Sequence, residues 1–188
     1  EGCRFQYGSA TDGGAIYIEG SNTLVTRSNF LNLGATAGES LNYTTSGGAI
    51  YVAGNDTQIF RNYFTHTNAG RGGSIYVAGK GTEISTNKFI EVNAGYGGAV
   101  YVEGIDTKII TALFNRTLAT YDGGAVYLAG INTTVFNSTF RFNNATRGGA
   151  VFIEGNESLI ESSFSYCFAV NNGVPSVSSA GGAIYISG

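Results

Sequence analysis

The sequence predicts an all-β fold, a right-handed parallel β-helix of about 25 residues per coil and roughly seven coils. Three observations carry that prediction. The phrase GGAIYVAG at Gly47–Gly54 recurs as GGAIYIEG from Gly13, GGSIYVAG from Gly72, GGAVYVEG from Gly97, GGAVYLAG from Gly123, GGAVFIEG from Gly148 and GGAIYISG from Gly181. The first glycines of these phrases are 34, 25, 25, 26, 25 and 33 residues apart, a period that belongs to solenoids. Within each phrase, aliphatic and aromatic residues alternate with period two and β-branched residues dominate, which excludes a helical solenoid.

In chain order, residues 1–12 form the tail of a coil, because Phe5 and Ala10 obey the spacing seen later. Coils start at 13, 47, 72, 97, 123 and 148, a partial coil occupies 181–188, and the whole chain is one solenoid. The first strand of each coil puts two aliphatic columns on one face, assigned to the interior. They are Ile16, Ile50, Ile75, Val100, Val126, Val151, Ile184 and Ile18, Val52, Val77, Val102, Leu128, Ile153, Ile186. A glycine closes the strand, and a Thr or Ser follows three places later (Thr23, Thr57, Thr82, Thr107, Thr133, Ser158). A second inward column follows at Val25, Ile59, Ile84, Ile109, Val135 and Ile160. Next come a Phe (Phe30, Phe64, Phe89, Phe114, Phe140, Phe164) and, five places on, an Ala. The glycine pairs fit a tight corner that needs positive φ or close backbone approach. A phosphate-cradling loop would require a helix directly after the glycines, and a strand follows instead. Insertions at 36–46 and 170–180 lengthen two coils at the same corner.

Composition narrows the function classes. The 29 glycines show no G-X-Y period and sit among 43% hydrophobic residues, so they mark fixed turns, not collagen or disorder. A net charge of −3 with 12% charged residues offers no basic footprint for nucleic acid. No run of 18 apolar residues is present to span a membrane as a helix. The N-terminal EGCRFQYG has no charged region leading into an apolar stretch, so any signal peptide is expected outside this sequence. No cofactor motif or metal-ligand spacing is legible, and none is expected.

The GGA(I/V) phrase, with a Phe some 17 residues after it, resembles the repeats of right-handed parallel β-helix proteins, above all the polymorphic outer-membrane protein repeats of chlamydiae. Their signatures are GGAI and FxxN; the first runs along nearly the whole chain, the second is matched literally by Phe140-Arg-Phe-Asn143. The resemblance implies a β-helix displayed at a cell surface.

Four places after each first glycine stand Tyr17, Tyr51, Tyr76, Tyr101, Tyr127, Phe152 and Tyr185. Alternation predicts an outward ladder, stacked within the sheet and left accessible by flanking alanines, that could also serve as a contact strip for sugar rings or another filament. Asn-x-Ser/Thr triplets occur at Asn42, Asn55, Asn115, Asn132, Asn137, Asn144 and Asn156, mostly in turns, where glycosylation is expected if the chain is secreted. Cys3 and Cys167 lie six coils apart, roughly 29 Å, too far to bridge within the chain. They are candidates for a disulfide between molecules.

Polysaccharide binding or degradation is the rival class, common among such coils, and needs clustered carboxylates. Here Glu19, Glu103 and Glu154 share a column interrupted by Ala53, Ala78 and Ala129, Asp56 and Asp106 sit in turns, and His66, the one histidine, has no acid in its own coil. The expectation is therefore a non-enzymatic extracellular or cell-surface element, structural or adhesive and N-glycosylated. It would continue in a longer chain or add end to end to its own kind through unpaired strand edges, with carbohydrate as a possible partner.

Overall fold

A computed structural model describes residues 2–35, 45–171 and 178–187; there the chain is a parallel β-solenoid of about six turns. Most of both insertions, 36–44 and 172–177, falls outside the described residues, as does Asn42. There is no helix among the described residues, hence none long and apolar enough to cross a membrane.

Each turn contributes to three sheets. The first holds seven strands in sequential order: Ile16–Ile18, Ile50–Val52, Ile75–Val77, Val100–Val102, Val126–Leu128, Val151–Ile153 and Ile184–Ile186. Like residues sit over like: Ile50 pairs with Ile75 and Ile75 with Val100, all fully buried. The second is bent. One ladder runs through Leu24–Thr26, Gln58–Phe60, Glu83–Ser85 and Lys108–Ile110; the other runs through Arg4–Gln6, Asn29–Leu31, Tyr63–Thr65, Lys88–Ile90 and Leu113–Asn115. The single strand Thr134–Arg141 joins the two ladders, and Leu159–Ser165 pairs with it. The third sheet is short-stranded, from Ser9–Ala10 through Gly34–Ala35, Asn68–Arg71, Asn93–Tyr96, Leu118–Asp122 and Asn144–Ala145 to Phe168–Ala169.

Alternation decides what enters the axis. The phenylalanine column is fully interior from Phe30 to Phe140, and successive rings stack with centroids 4.7–4.9 Å apart and planes within 9°. That spacing is the strand spacing itself, so ring stacking and backbone hydrogen bonding are satisfied together.

Glycine is required on either side of the first strand, for a separate reason at each place. Gly47 has φ 63°, and a Cβ there would lie 2.2 Å from the Ile50 carbonyl oxygen. Gly54 has an ordinary φ, but its Cβ would lie 2.1 Å from the Gly20 carbonyl oxygen of the neighbouring coil. Backbone packs on backbone there, and any side chain would hold the coils apart.

The other corners use the left-handed conformation without glycine, and periodicity alone does not mark them. Arg27, Arg61, Thr86, Thr111 and Asn137 have φ between 48° and 57°. Just inside this corner runs a polar column. Asn62 Oδ1 accepts from the Ser28 N–H at 2.9 Å, and Asn87 Oδ1 accepts from the Asn62 N–H at 2.8 Å. Their amide nitrogens donate to the carbonyls of Val25 and Ile59 at 2.9 and 2.6 Å. Ser138 Oγ takes the Ala112 N–H at 3.1 Å in the same way.

Candidate functional site

The tyrosine ladder lies on the outer face of the first sheet, in register as the alternation requires, with neighbouring rings 4.7–5.2 Å apart from Tyr17 to Tyr185. It is not the open strip that the flanking alanines suggest. Tyr76, Tyr101, Tyr127 and Phe152 are only 4, 9, 7 and 2% exposed; Tyr51 and Tyr185 are half-buried and Tyr17 is exposed.

The cover comes from the residues that precede each glycine pair, a column with no simple pattern in the sequence. Arg71 lies over the Tyr101 ring at 5.8 Å, and Tyr96, stacked on Tyr121, meets Tyr127 edge-on at 5.9 Å. The Arg147 guanidinium lies over both Phe152 and Tyr185, at 4.9 and 5.4 Å. Arg147 is itself held by two hydrogen bonds to the buried Asp122 carboxylate, 2.7 and 2.8 Å long. Because Gly72, Gly97, Gly123 and Gly148 turn the chain sharply, these side chains fold back onto the next strand's rings.

Phenol groups tie successive coils. The Tyr76 hydroxyl donates to Glu103 Oε2 of the following coil, and the Tyr127 hydroxyl donates to Glu154 Oε2 at 2.6 Å. Burial and, next, the hydrogen bond to the carboxylate raise the pKa of both phenols well above its ordinary 10. Tyr101 is pushed up to about 12, chiefly by burial. Glu103 and Glu154 therefore act here as acceptors for tyrosine, whereas Glu19 stands in the same column beside exposed Tyr17.

His66 does find an acid, though from the next coil: its Nε2 lies 3.0 Å from Glu91 Oε2, while Nδ1 lies 3.0 Å from Thr65 Oγ1. Arg116 Nη1 reaches the other Glu91 oxygen at 3.2 Å. Stacking of coils brings together residues 25 places apart, which reading one coil at a time cannot show. The imidazole and carboxylate side chains are 56 and 42% exposed. Among the described residues no three His, Cys, Asp or Glu side chains gather into a metal-binding group.

The asparagines of the glycosylation triplets stand at or near corners. Asn55, Asn132, Asn137 and Asn156 are exposed, and Asn115 and Asn144 are half-buried. Asn132 and Asn137 have φ 55° and 48°. The Asn55 side chain accepts from the Lys80 N–H at 2.9 Å, and Asn132 donates to Asp106 Oδ1 at 2.7 Å. That amide, with Lys80 beside it, holds the Asp106 carboxyl below its ordinary pKa. Cys3 is exposed and Cys167 half-buried, and neither is in a disulfide. Burial raises the Cys167 thiol pKa.

Comparison with protein-family models, curated proteins and solved structures found no match. What the geometry establishes is a parallel β-solenoid whose outer tyrosine ladder is covered over its middle coils by acidic, basic and aromatic neighbours.

Proposed function

We propose that the chain is a non-enzymatic, N-glycosylated structural or adhesive element of an extracellular or cell surface. The observation that carries this reading is the coil-to-coil tie at the covered ladder. Tyr76 with Glu103, Tyr127 with Glu154 and Asp122 with Arg147 each join one coil to the next, adding side-chain ties to the backbone ladders of a rod. Exposed corner asparagines at Asn55, Asn132, Asn137 and Asn156 support glycosylation of that rod. The resemblance of the GGA(I/V) repeats to chlamydial polymorphic outer-membrane protein repeats supports display at a surface. The rod extends either in a longer chain or by a second copy adding to the edge strands Ile16–Ile18 and Ile184–Ile186. A bond between Cys3 and Cys167 of neighbouring molecules would lock such a joint.

Polysaccharide processing is the second reading, and His66 oriented by Glu91 is the observation in its favour. That pair stands in solvent, where an ion pair gains little and a general base is poorly insulated from water.

Secretion of the full chain from a eukaryotic host tests both. The expected result is a mass loss on enzymatic deglycosylation, rods or filaments in electron micrographs, and no release of sugar from acidic or neutral polysaccharides. A secreted but sugar-free protein overturns the glycoprotein reading. Depolymerisation that disappears in His66→Ala overturns the non-enzymatic one.

A further inference from the structure

On the outer face of the short-stranded sheet, four large apolar side chains surround one asparagine. Asn144 lies in register between Leu118 of the preceding coil and Phe168 of the following one. The next residues, Ala119, Ala145 and Ala169, take the inward positions, so the three residues before them share the outer face. Two places earlier in each coil, Phe142 and Tyr166 occupy left-handed corner positions and stack with centroids 4.9 Å apart and planes 8° apart, and the Arg141 guanidinium lies 5.7 Å from the Phe142 centroid at the edge of the patch. Leu118, Phe142, Tyr166 and Phe168 are 39, 44, 63 and 54% exposed. Asn144-Ala145-Thr146 is itself a glycosylation triplet.

We propose that the first N-acetylglucosamine of a glycan on Asn144 lies against this patch, its apolar ring face on Phe142 and Phe168. The inference rests on the glycosylation reading above and goes beyond it, because it assigns the sugar a contact. A pyranose presents a face of C–H bonds that packs on aromatic carbon while its hydroxyls stay in water. Tethering at Asn144 makes that contact intramolecular, so an interaction too weak to capture a free sugar is populated. Asn55 offers no such bed: its neighbours in sequence are Gly54 and Asp56, and its amide oxygen accepts from the Lys80 N–H. The triplet's own hydroxyl points to the order of events. Thr146 is fully buried and its Oγ1 donates to the Thr120 carbonyl at 2.9 Å. A transferase that reads this hydroxyl must meet the chain before the coil closes, so the sugar is already present when the patch forms.

The test uses the full chain secreted from a glycosylating host, with occupancy mapped by peptide mass spectrometry and each glycan trimmed to one N-acetylglucosamine. Asn144 is expected to be occupied, and Asn144→Gln to lower the thermal midpoint by about 2–4 °C. In a Phe142→Ala, Phe168→Ala background that loss should vanish. In sugar-free bacterial protein the loss on Asn144→Gln should be smaller than in the glycoprotein. An occupied Asn144 whose replacement costs nothing, or costs the same without the rings, overturns the contact. So does a concentration-dependent dimer of the glycoprotein that disappears in Phe168→Ala, which would assign the patch to a second copy. An empty Asn144 beside other occupied sites overturns this inference alone; sugar at none of the triplets overturns it together with the glycoprotein reading.

Discussion

Asn62 and Asn87 show how single residues hold a bend that strands cannot. At a left-handed corner the backbone N–H turns inward, away from the neighbouring coil's carbonyls, and a buried donor must be met. Each asparagine meets the N–H of the coil before it and bonds a carbonyl as well. Ala112 occupies the same column and offers no side-chain acceptor to the Asn87 N–H. Serine already does this work at Ser138 in the next coil, in the same backbone setting. Ala112→Ser should therefore stabilise the fold by about 1 kcal/mol, read as a higher denaturant midpoint at unchanged slope. A lower midpoint would show that the Asn87 N–H is not short of an acceptor. The Phe column and the inward aliphatic columns were legible from spacing, because one residue type recurs at one place in every coil. This polar column was not: Ser28, Asn62, Asn87, Ala112 and Ser138 share a backbone task, not a residue type.

At the scale of the element, the buried middle of the tyrosine ladder resists ionisation. Tyr101 is held up to about 12, and Tyr76 and Tyr127 are raised further by their bonds to Glu103 and Glu154. In the unfolded chain these phenols release their protons near pH 10. Below that pH both states are neutral and the ladder adds no pH dependence. Above it the unfolded chain binds fewer protons than the folded one, so stability falls as pH rises from about 10 towards 12. Melting between pH 9 and 12, with absorbance at 295 nm reporting phenolate, should show tyrosine ionising together with unfolding, and Tyr101→Phe should flatten the slope. A phenolate signal near pH 10 that Tyr76→Phe, Tyr101→Phe or Tyr127→Phe removes while the protein remains folded would contradict the buried ladder. The ladder's existence could be read from the sequence. Its burial could not, because Arg71, Tyr96, Asp122 and Arg147 are neither alike nor apolar as a set, and their shared position appears only when coils are stacked.

For the whole molecule, stability is a sum of coils and of the interfaces between them, since each turn contacts its neighbours in register. Deleting residues 72–96 removes one whole coil and joins Arg71 to Gly97, which begins the next. The product should fold with the same far-ultraviolet circular dichroism per residue and a thermal midpoint lowered by only a few degrees. Deleting residues 72–83 removes about half a coil, puts every later column out of register, and should abolish cooperative melting. Equal behaviour of the two deletions would refute in-register stacking. The sequence by itself determined the repeat length, the parallel sheets, the glycine corner and the interior columns. Each of these follows from a residue type recurring at a constant interval, and a solenoid turns a constant interval into direct contact. Only the tertiary structure decided which outer side chains are covered, which acid meets His66, and which apolar residues surround Asn144. Those contacts join unlike residues of different coils, and they depend on how far each corner turns the chain, a quantity that spacing along the sequence does not contain.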